Sequence, residues 1–209
     1  MGVHRHPDPV ADPSTTSVRL PDDVVRLLEA DPGIDRIELA GSRARGDALS
    51  LSDWDFKITT RAFAEVRQRL PAVVARLRPV VAQWDRLSST WCYMLILAGP
   101  EKVDLIFTEP HAALPAWQVT AATLPGIDDH FWDWMLWLTA KQQAGKAGLV
   151  AAELAKLHEH LLAPLGVPAQ PARLGQAIGG YRAARRRWEQ RLNCQVPRAA
   201  EQAVNPALR

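Results

Sequence analysis

The segment LAGSRARGDALSLSDWDFKI, residues 39–58, joins two stretches that are both typical of β-strands. The first stretch is IDRIELA at residues 34–40, and the second is WDFKITT at residues 54–60. Because strand residues two apart point to the same face, we expect Asp53 and Asp55 on one side of the second strand. Carboxylates beside buried strands are costly unless a partner neutralises them. The segment therefore predicts a charged site that binds a cation.

A third carboxylate, Asp104, lies in the apolar run KVDLIF, where an unpaired ionised aspartate would also be costly. If its strand adjoins the strand of Asp53 and Asp55, the three side chains can hold two magnesium ions, because magnesium prefers oxygen ligands. Such a site stabilises an in-line displacement at phosphorus. Gly41 and Ser42 fit this interpretation, since glycine lets the backbone approach a triphosphate and the serine hydroxyl can donate to it.

The remaining sequence predicts a small mixed sheet followed by helices. Apolar spacing indicates these further elements: helices at 21–30 and 61–77, a hairpin of strands at 91–98 and 101–108, and helices at 130–146, 148–166 and about 171–193. We therefore predict an α/β (α+β) fold with three parts. These are a mobile N-terminal tail at 1–17, a mixed-sheet domain at 18–120 and an α-helical bundle at 121–209.

Composition limits the class of protein. A formal net charge of +2 is too small to indicate a nucleic-acid partner by itself, although it does not exclude one. No apolar run reaches the roughly 18 residues of a transmembrane helix, and the N-terminus lacks the apolar stretch of a secretory signal. Cys92 and Cys194 are too far apart in sequence for a metal or redox motif. We predict a soluble, cytoplasmic protein with no membrane partner.

The combination of GSRARG, SDWDF and VDLIF resembles the nucleotidyltransferase superfamily related to DNA polymerase β. That superfamily has a Gly-Ser turn, an Asp-x-Asp pair and a third strand carboxylate, and the resemblance covers about residues 34–108. It implies that residues 18–120 form a nucleotidyltransferase domain. By position it also implies these roles: triphosphate binding by Gly41 and Ser42, metal binding by Asp53 and Asp55, and action as third ligand or general base by Asp104.

The helical part resembles the antibiotic adenylyltransferases that modify aminoglycosides or lincosamides, through WDWMLWLTAK at residues 132–141. This resemblance implies ATP as co-substrate, transfer of AMP to a hydroxyl of a small polar acceptor, and a role in antibiotic resistance. We expect Lys141 in the cleft between the two domains, as a point charge for phosphate. The tryptophans Trp132, Trp134 and Trp137 cannot share one helical face, so some belong to the core and others are available to a substrate cleft.

Several alternatives stay open from the sequence. Asp104 has a structural alternative as the ion-pair partner of Lys57 or Lys102, and Arg43 and Arg45 are as well suited to solvent as to phosphates. The acceptor is alternatively a protein or tRNA, as for toxin or antitoxin nucleotidyltransferases. A homologue that binds nucleotide without turnover is a third possibility.

The charges of the helical half point to two kinds of acceptor. Its acids favour a cationic small molecule. Its arginine run favours a nucleic acid. The acids are Asp128, Asp129, Asp133 and Glu153, and the arginines are Arg185, Arg186 and Arg187.

Overall fold

The strands of the chain form one mixed sheet. The computed structural model describes residues 20–114 and 117–208, so the predicted tail at 1–17 lies outside the described residues. The strands are β1 (Ile34–Ala40), β2 (Trp54–Thr60), β3 (Val81–Trp84), β4 (Thr90–Leu97) and β5 (Glu101–Pro110). Their order is β1-β2-β5-β4-β3, with β2 and β5 parallel and the other neighbours antiparallel. The two strands that carry the predicted aspartates are therefore neighbours.

Helices precede, interrupt and follow the sheet. The α-helices of the described residues are α1 (Leu20–Glu29), α2 (Gly41–Arg45), α3 (Phe63–Val74), α4 (Leu124–Gln143), α5 (Ala147–Leu157), α6 (Leu174–Leu192) and α7 (Ala199–Val204). A π-helical turn, His158–Leu162, continues α5. Among the described residues no helix is both long and apolar enough to cross a membrane.

The first face of the sheet packs against α1 and α3. Trp54, Phe56 and Ile58 alternate along β2 and are buried in one apolar cluster with Leu28 of α1 and Val66 of α3. This alternation follows from the strand repeat of two residues, which sends the intervening polar side chains to the other face. The predicted separation of apolar and acidic faces on β2 is therefore observed.

The second face of the sheet packs against the helical half of the chain. Val81 of β3 and Ile96 of β4 are buried with Phe131 and Met135 of α4 in a second apolar cluster. Helix α4 begins with Pro125 in its first turn, a position where proline costs no hydrogen bond. Its long apolar surface places it between the sheet and the remaining helices.

The α/β prediction of a mixed sheet followed by helices is confirmed. Strands β1 and β2 have the bounds expected from the sequence, whereas β3 and α7 were not predicted. A turn was expected at Gly41-Ser42, but residues 41–45 form the short helix α2, which ends at Gly46 in a left-handed conformation (φ 78°).

Candidate active site

Three carboxylates meet on the second face of the sheet. Asp55 of β2 and Asp104 of β5 are register partners across the parallel pair, and Asp53 lies one residue before β2. One carboxylate oxygen from each aspartate lies within 4.8 Å of the other two. Oxygen atoms at this spacing match the ligands that magnesium prefers. The fold thus brings together all three residues that the sequence nominated as metal ligands.

The electrostatics of this triad fit a bound cation. Burial, together with the negative charges of Asp53 and Asp104, raises the pKa of Asp55 to about 6. Burial also raises the pKa of Asp104 to about 6, although the Lys102 ammonium acts in the opposite direction. Carboxylates that repel one another in this way are stabilised when a cation lies between them.

Gly41 lies against the triad. Its φ of +66° is in the left-handed region, where glycine has no steric penalty. A Cβ atom at this position would lie 2.9 Å from Asp55 Cγ and would overlap Asp55 Oδ2. The absence of a side chain at residue 41 therefore lets the backbone between β1 and α2 pass directly beside the Asp55 carboxylate.

The loop that leads into Asp53 is fixed by Arg43. The guanidinium group donates from Nε (3.0 Å) and Nη2 (2.6 Å) to the carbonyl oxygen of Ser52, and it stacks 3.8 Å from the ring centroid of Trp54. Ser42 lies in α2 next to Gly41, and its carbonyl oxygen accepts a hydrogen bond from the backbone of Asp47 at 3.1 Å. Arg43 thus has a structural role in holding the loop.

Lys141, near the end of α4, reaches the triad from the helical half. Its Nζ lies 3.2 Å from Asp53 Oδ1 and 3.4 Å from Asp53 Oδ2. The same ammonium lies 5.1 Å from the ring centroid of Trp137. The lysine that the sequence placed in a cleft is therefore next to the predicted metal ligands.

Two further residues complete the charged cluster, although neither was among the predicted metal ligands or phosphate-binding residues. Lys102 Nζ donates to Asp104 Oδ1 at 2.6 Å and to Asp133 Oδ1 at 2.7 Å. Burial alone would lower the pKa of Lys102, but the two carboxylates outweigh burial and raise it above its ordinary value. The ion pair with Lys102 that the sequence left open for Asp104 is present. The signal for it was the two-residue spacing on one strand face.

A cavity of about 440 Å³ opens beside Asp104, between the sheet and the helices α4 and α5. Its wall combines acidic groups with aromatic rings. The acids besides Asp104 are Asp85, Asp133 and Glu153, and the rings are Trp134, Trp137, His130 and His160. Trp132 is fully buried in the core instead. The expected division of the tryptophans between core and cleft is observed.

Burial and mutual repulsion of the three carboxylates predict how the stability of the metal-free protein depends on pH. The folded pKa of Asp55, about 6, exceeds the usual value of about 3.9, so the folded state binds more protons between these pH values. The free energy of unfolding should therefore fall as pH rises through this window. We expect Asp55→Asn to reduce the fall, as measured by urea unfolding in EDTA from pH 4 to pH 8.

The matched control is Asp35→Asn, which removes an exposed carboxylate paired with Arg61 at 2.9 Å. The Arg61 guanidinium lowers the pKa of Asp35, so its loss should leave the fall between pH 4 and pH 6 in place. If the free energy of unfolding has the same dependence on pH in the wild type and in Asp55→Asn, the pKa of Asp55 is not raised in the folded state.

Comparison with known proteins gives distant structural similarity. No protein-family model matches the chain. No curated protein sequence matches it either. Among solved structures, the chain is similar to an aminoglycoside 6-adenyltransferase from Bacillus subtilis, with 10% sequence identity and a TM-score of 0.33. The similarity covers 90% of this chain and 95% of that chain.

Proposed function

We propose that the protein is a metal-dependent nucleotidyltransferase that moves AMP from ATP to a hydroxyl of a small polar acceptor and releases pyrophosphate. The observation that carries this proposal is the meeting of Asp53, Asp55 and Asp104 on neighbouring strands, with one oxygen of each within 4.8 Å of the others. The backbone of Gly41, which carries no side chain, and the Lys141 ammonium both lie beside these aspartates. Together they provide cation ligands and two places for phosphate oxygens.

Asp53, Asp55 and Asp104 would hold two magnesium ions. When bound, these ions would neutralise the charge on the phosphates and lower the pKa of a coordinated hydroxyl. The residues of the chain then orient the reactants. Gly41 and Ser42 present a close backbone and a hydroxyl to the triphosphate, and Lys141 supplies a positive charge at the edge of the triad.

Asp104 is suited to take the proton of the acceptor. Its carboxylate borders both the triad and the cavity, so an acceptor hydroxyl bound in the cavity would lie near it. As the acceptor oxygen bonds to the α-phosphorus, its proton passes to Asp104. The bond from that phosphorus to the bridging oxygen breaks, and pyrophosphate leaves with the bonding electrons.

The chemistry of the cavity favours an acceptor with amino groups, as in aminoglycoside-like antibiotics. The cavity lining carries four carboxylates and two lysines, so acids are in excess; the acids are Asp85, Asp104, Asp133 and Glu153, and the lysines are Lys102 and Lys156. Lys102 pairs with Asp104 and Asp133, and Lys156 pairs with Glu153 at 2.6 Å, which leaves Asp85 as the acid without a lysine partner in this lining. Trp134 and Trp137 supply flat apolar surfaces. Carboxylates attract ammonium groups, and aromatic faces also attract cations. A 440 Å³ cavity is within the usual size range for small-molecule sites.

The arginine run at residues 185–187, which favoured a nucleic acid as acceptor, is partly buried. Arg185 is buried and pairs with Asp128 at 2.6 Å and also with Glu201. Its charge is therefore used within the helical half, where it cannot contact a phosphate backbone. We also propose that the active site lies where residues 18–120 and 121–209 meet, since Lys141 and Asp133 reach it from the second part.

The test is a transfer assay with labelled ATP and magnesium against aminoglycosides, lincosamides, tRNA and cell lysate. We expect labelled AMP on an antibiotic, with Asp53→Ala as the inactive control. Label on tRNA or on a lysate protein would instead assign a macromolecular acceptor. Nucleotide binding with no transfer in any arm would identify a binding protein and refute the transferase.

Lys141 provides a separate prediction about the nucleotide. Lys141→Met should weaken binding of magnesium-ATP by about tenfold or more, the usual worth of a charged hydrogen bond, and weaken AMP much less. Calorimetric titration of both nucleotides measures this. The control Lys146→Met removes an exposed lysine just before α5. Equal weakening of ATP and AMP would exclude a triphosphate role for Lys141.

A further inference from the structure

We propose that Lys102, held by Asp133, is a positioning residue that fixes the orientation of the Asp104 carboxylate. This inference rests on the proposed function, in which Asp104 is a metal ligand and base. Lys102 is two residues from Asp104 on β5, so both side chains leave the sheet on the same face. Asp133 approaches the same ammonium from α4.

The contacts of the Lys102 ammonium hold it in one position. The Lys102 side chain is 4% exposed and its Nζ contacts both carboxylates within 2.7 Å. Such short bonds between charged partners are about twice as strong as neutral ones and constrain geometry more tightly. Because Lys102 engages Asp104 Oδ1, rotation of that carboxylate is restricted and Oδ2 is left to face a cation or the acceptor.

Asp133 gives this arrangement its rigidity. It lies on α4 between Trp132 and Trp134, and its neighbours Phe131 and Trp132 are fully buried. The lysine head group is therefore held from two elements, the sheet and α4, rather than by its own flexible chain. Hydrogen-bond partners of metal-binding carboxylates commonly contribute 10- to 100-fold to metal affinity or activity, roughly the size of effect expected here.

A structural role alone does not explain the cluster well. Buried ion pairs add little net stability, since apolar residues of similar volume often stabilise a fold equally well. This cluster lies in the wall of the cavity, and one of its members belongs to the triad. Among the described ion pairs, this cluster joins a member of the triad to the wall of the cavity, whereas Lys141–Asp53 involves the triad alone.

The test compares Asp133→Asn with the double variant Lys102→Met/Asp133→Asn. Lys102→Met alone would leave two buried carboxylates without a cation and is expected to destabilise the fold strongly. The double variant removes one cation and one anion together, so the buried group keeps its net charge. Asp133→Asn is the control for the Asp133 carboxylate itself, because any loss of acceptor binding that follows from removing this carboxylate occurs in both variants.

We expect the double variant to fold and to have a kcat about 10- to 100-fold below that of Asp133→Asn, with little change in KM for ATP. Its Mn²⁺ affinity should be weaker by about tenfold or more than that of the wild type, which has the same net charge in this cluster. A matched control, Arg69→Met/Asp31→Asn, removes another ion pair with a buried carboxylate (2.7 Å) in the same charge-balanced way. That control should lower stability without changing kcat.

A folded double variant with the kcat of Asp133→Asn and the Mn²⁺ affinity of the wild type would overturn the inference while leaving the transferase in place. If the wild type transfers AMP to nothing, the proposed function fails, and Mn²⁺ titration decides the inference alone. In that case, unchanged Mn²⁺ affinity in the double variant refutes it. Weakened Mn²⁺ affinity in a folded double variant supports it.

Discussion

Asp104→Asn is expected to lower the single-turnover rate of AMP transfer by roughly two to four orders of magnitude, the usual contribution of a general base. An asparagine side chain has nearly the same shape and can still accept a hydrogen bond from Lys102. It cannot take the proton of the acceptor hydroxyl. Lys102 also keeps its contact with Asp133 at 2.7 Å, so the substitution leaves no unpaired buried cation.

Rapid-quench measurement of the transfer step tests this expectation, with thermal unfolding and magnesium-ATP titration on the same sample. The variant should fold and should retain detectable nucleotide binding. Transfer at near the wild-type rate would show that Asp104 does not take the proton of the acceptor. The assignment of a general base would then be wrong, even if the metal site were correct.

Gly41→Ala should lower turnover by about 100-fold or more, because a displacement of about 1 Å in a reacting group has effects of this size. The added methyl group would occupy the space of the Asp55 carboxylate, whose Cγ would lie 2.9 Å away. Either Asp55 or the backbone before α2 must move. Both movements disturb the triad, and both should also weaken Mn²⁺ binding.

Gly46→Ala is the matched control for backbone strain. Gly46 has a comparable φ of +78°, but a Cβ there meets nothing within 4 Å among the described residues. Both substitutions should cost about 1 kcal/mol of unfolding free energy for the left-handed conformation. Only Gly41→Ala should lose activity, as measured by steady-state transfer. Equal activity losses would point to strain in α2 rather than to contact with Asp55.

The sheet and the triad were largely predictable because they follow from short-range patterns. Alternation of apolar and polar residues fixed the bounds of β2 and the face of Asp53 and Asp55. By contrast, β3 has four residues and gives too short a pattern to separate it from a loop. The pairing of β2 with β5, which makes Asp55 and Asp104 register partners, was a condition of the metal-site hypothesis, because no local pattern determines which strands are neighbours.

The contacts of the helical half depend on tertiary structure and could not be read from sequence. Lys102 and Asp133 are 31 residues apart on different elements, and no local pattern links them. Arg185 looked like a member of an exposed run, yet it is buried because its side chain meets Asp128. The sequence also has no pattern that would distinguish the π-helical turn at His158–Leu162 from an α-helix, although His160 in this turn lines the cavity.

Helix α4 has a consequence for how the acceptor range of such a protein can evolve. Trp134 and Trp137 line the cavity beside Asp104, which is the acceptor site under the proposed function, and Lys141 on the same helix contacts Asp53. A substitution that widens the cavity by shifting α4 would therefore also disturb the nucleotide end of the site. Under the proposed function, new acceptors are most readily accommodated through Asp85 and Glu153, which line the cavity from outside α4. Substitutions that move α4 would therefore affect binding of both substrates. Substitutions at Asp85 or Glu153 would affect binding of the acceptor alone.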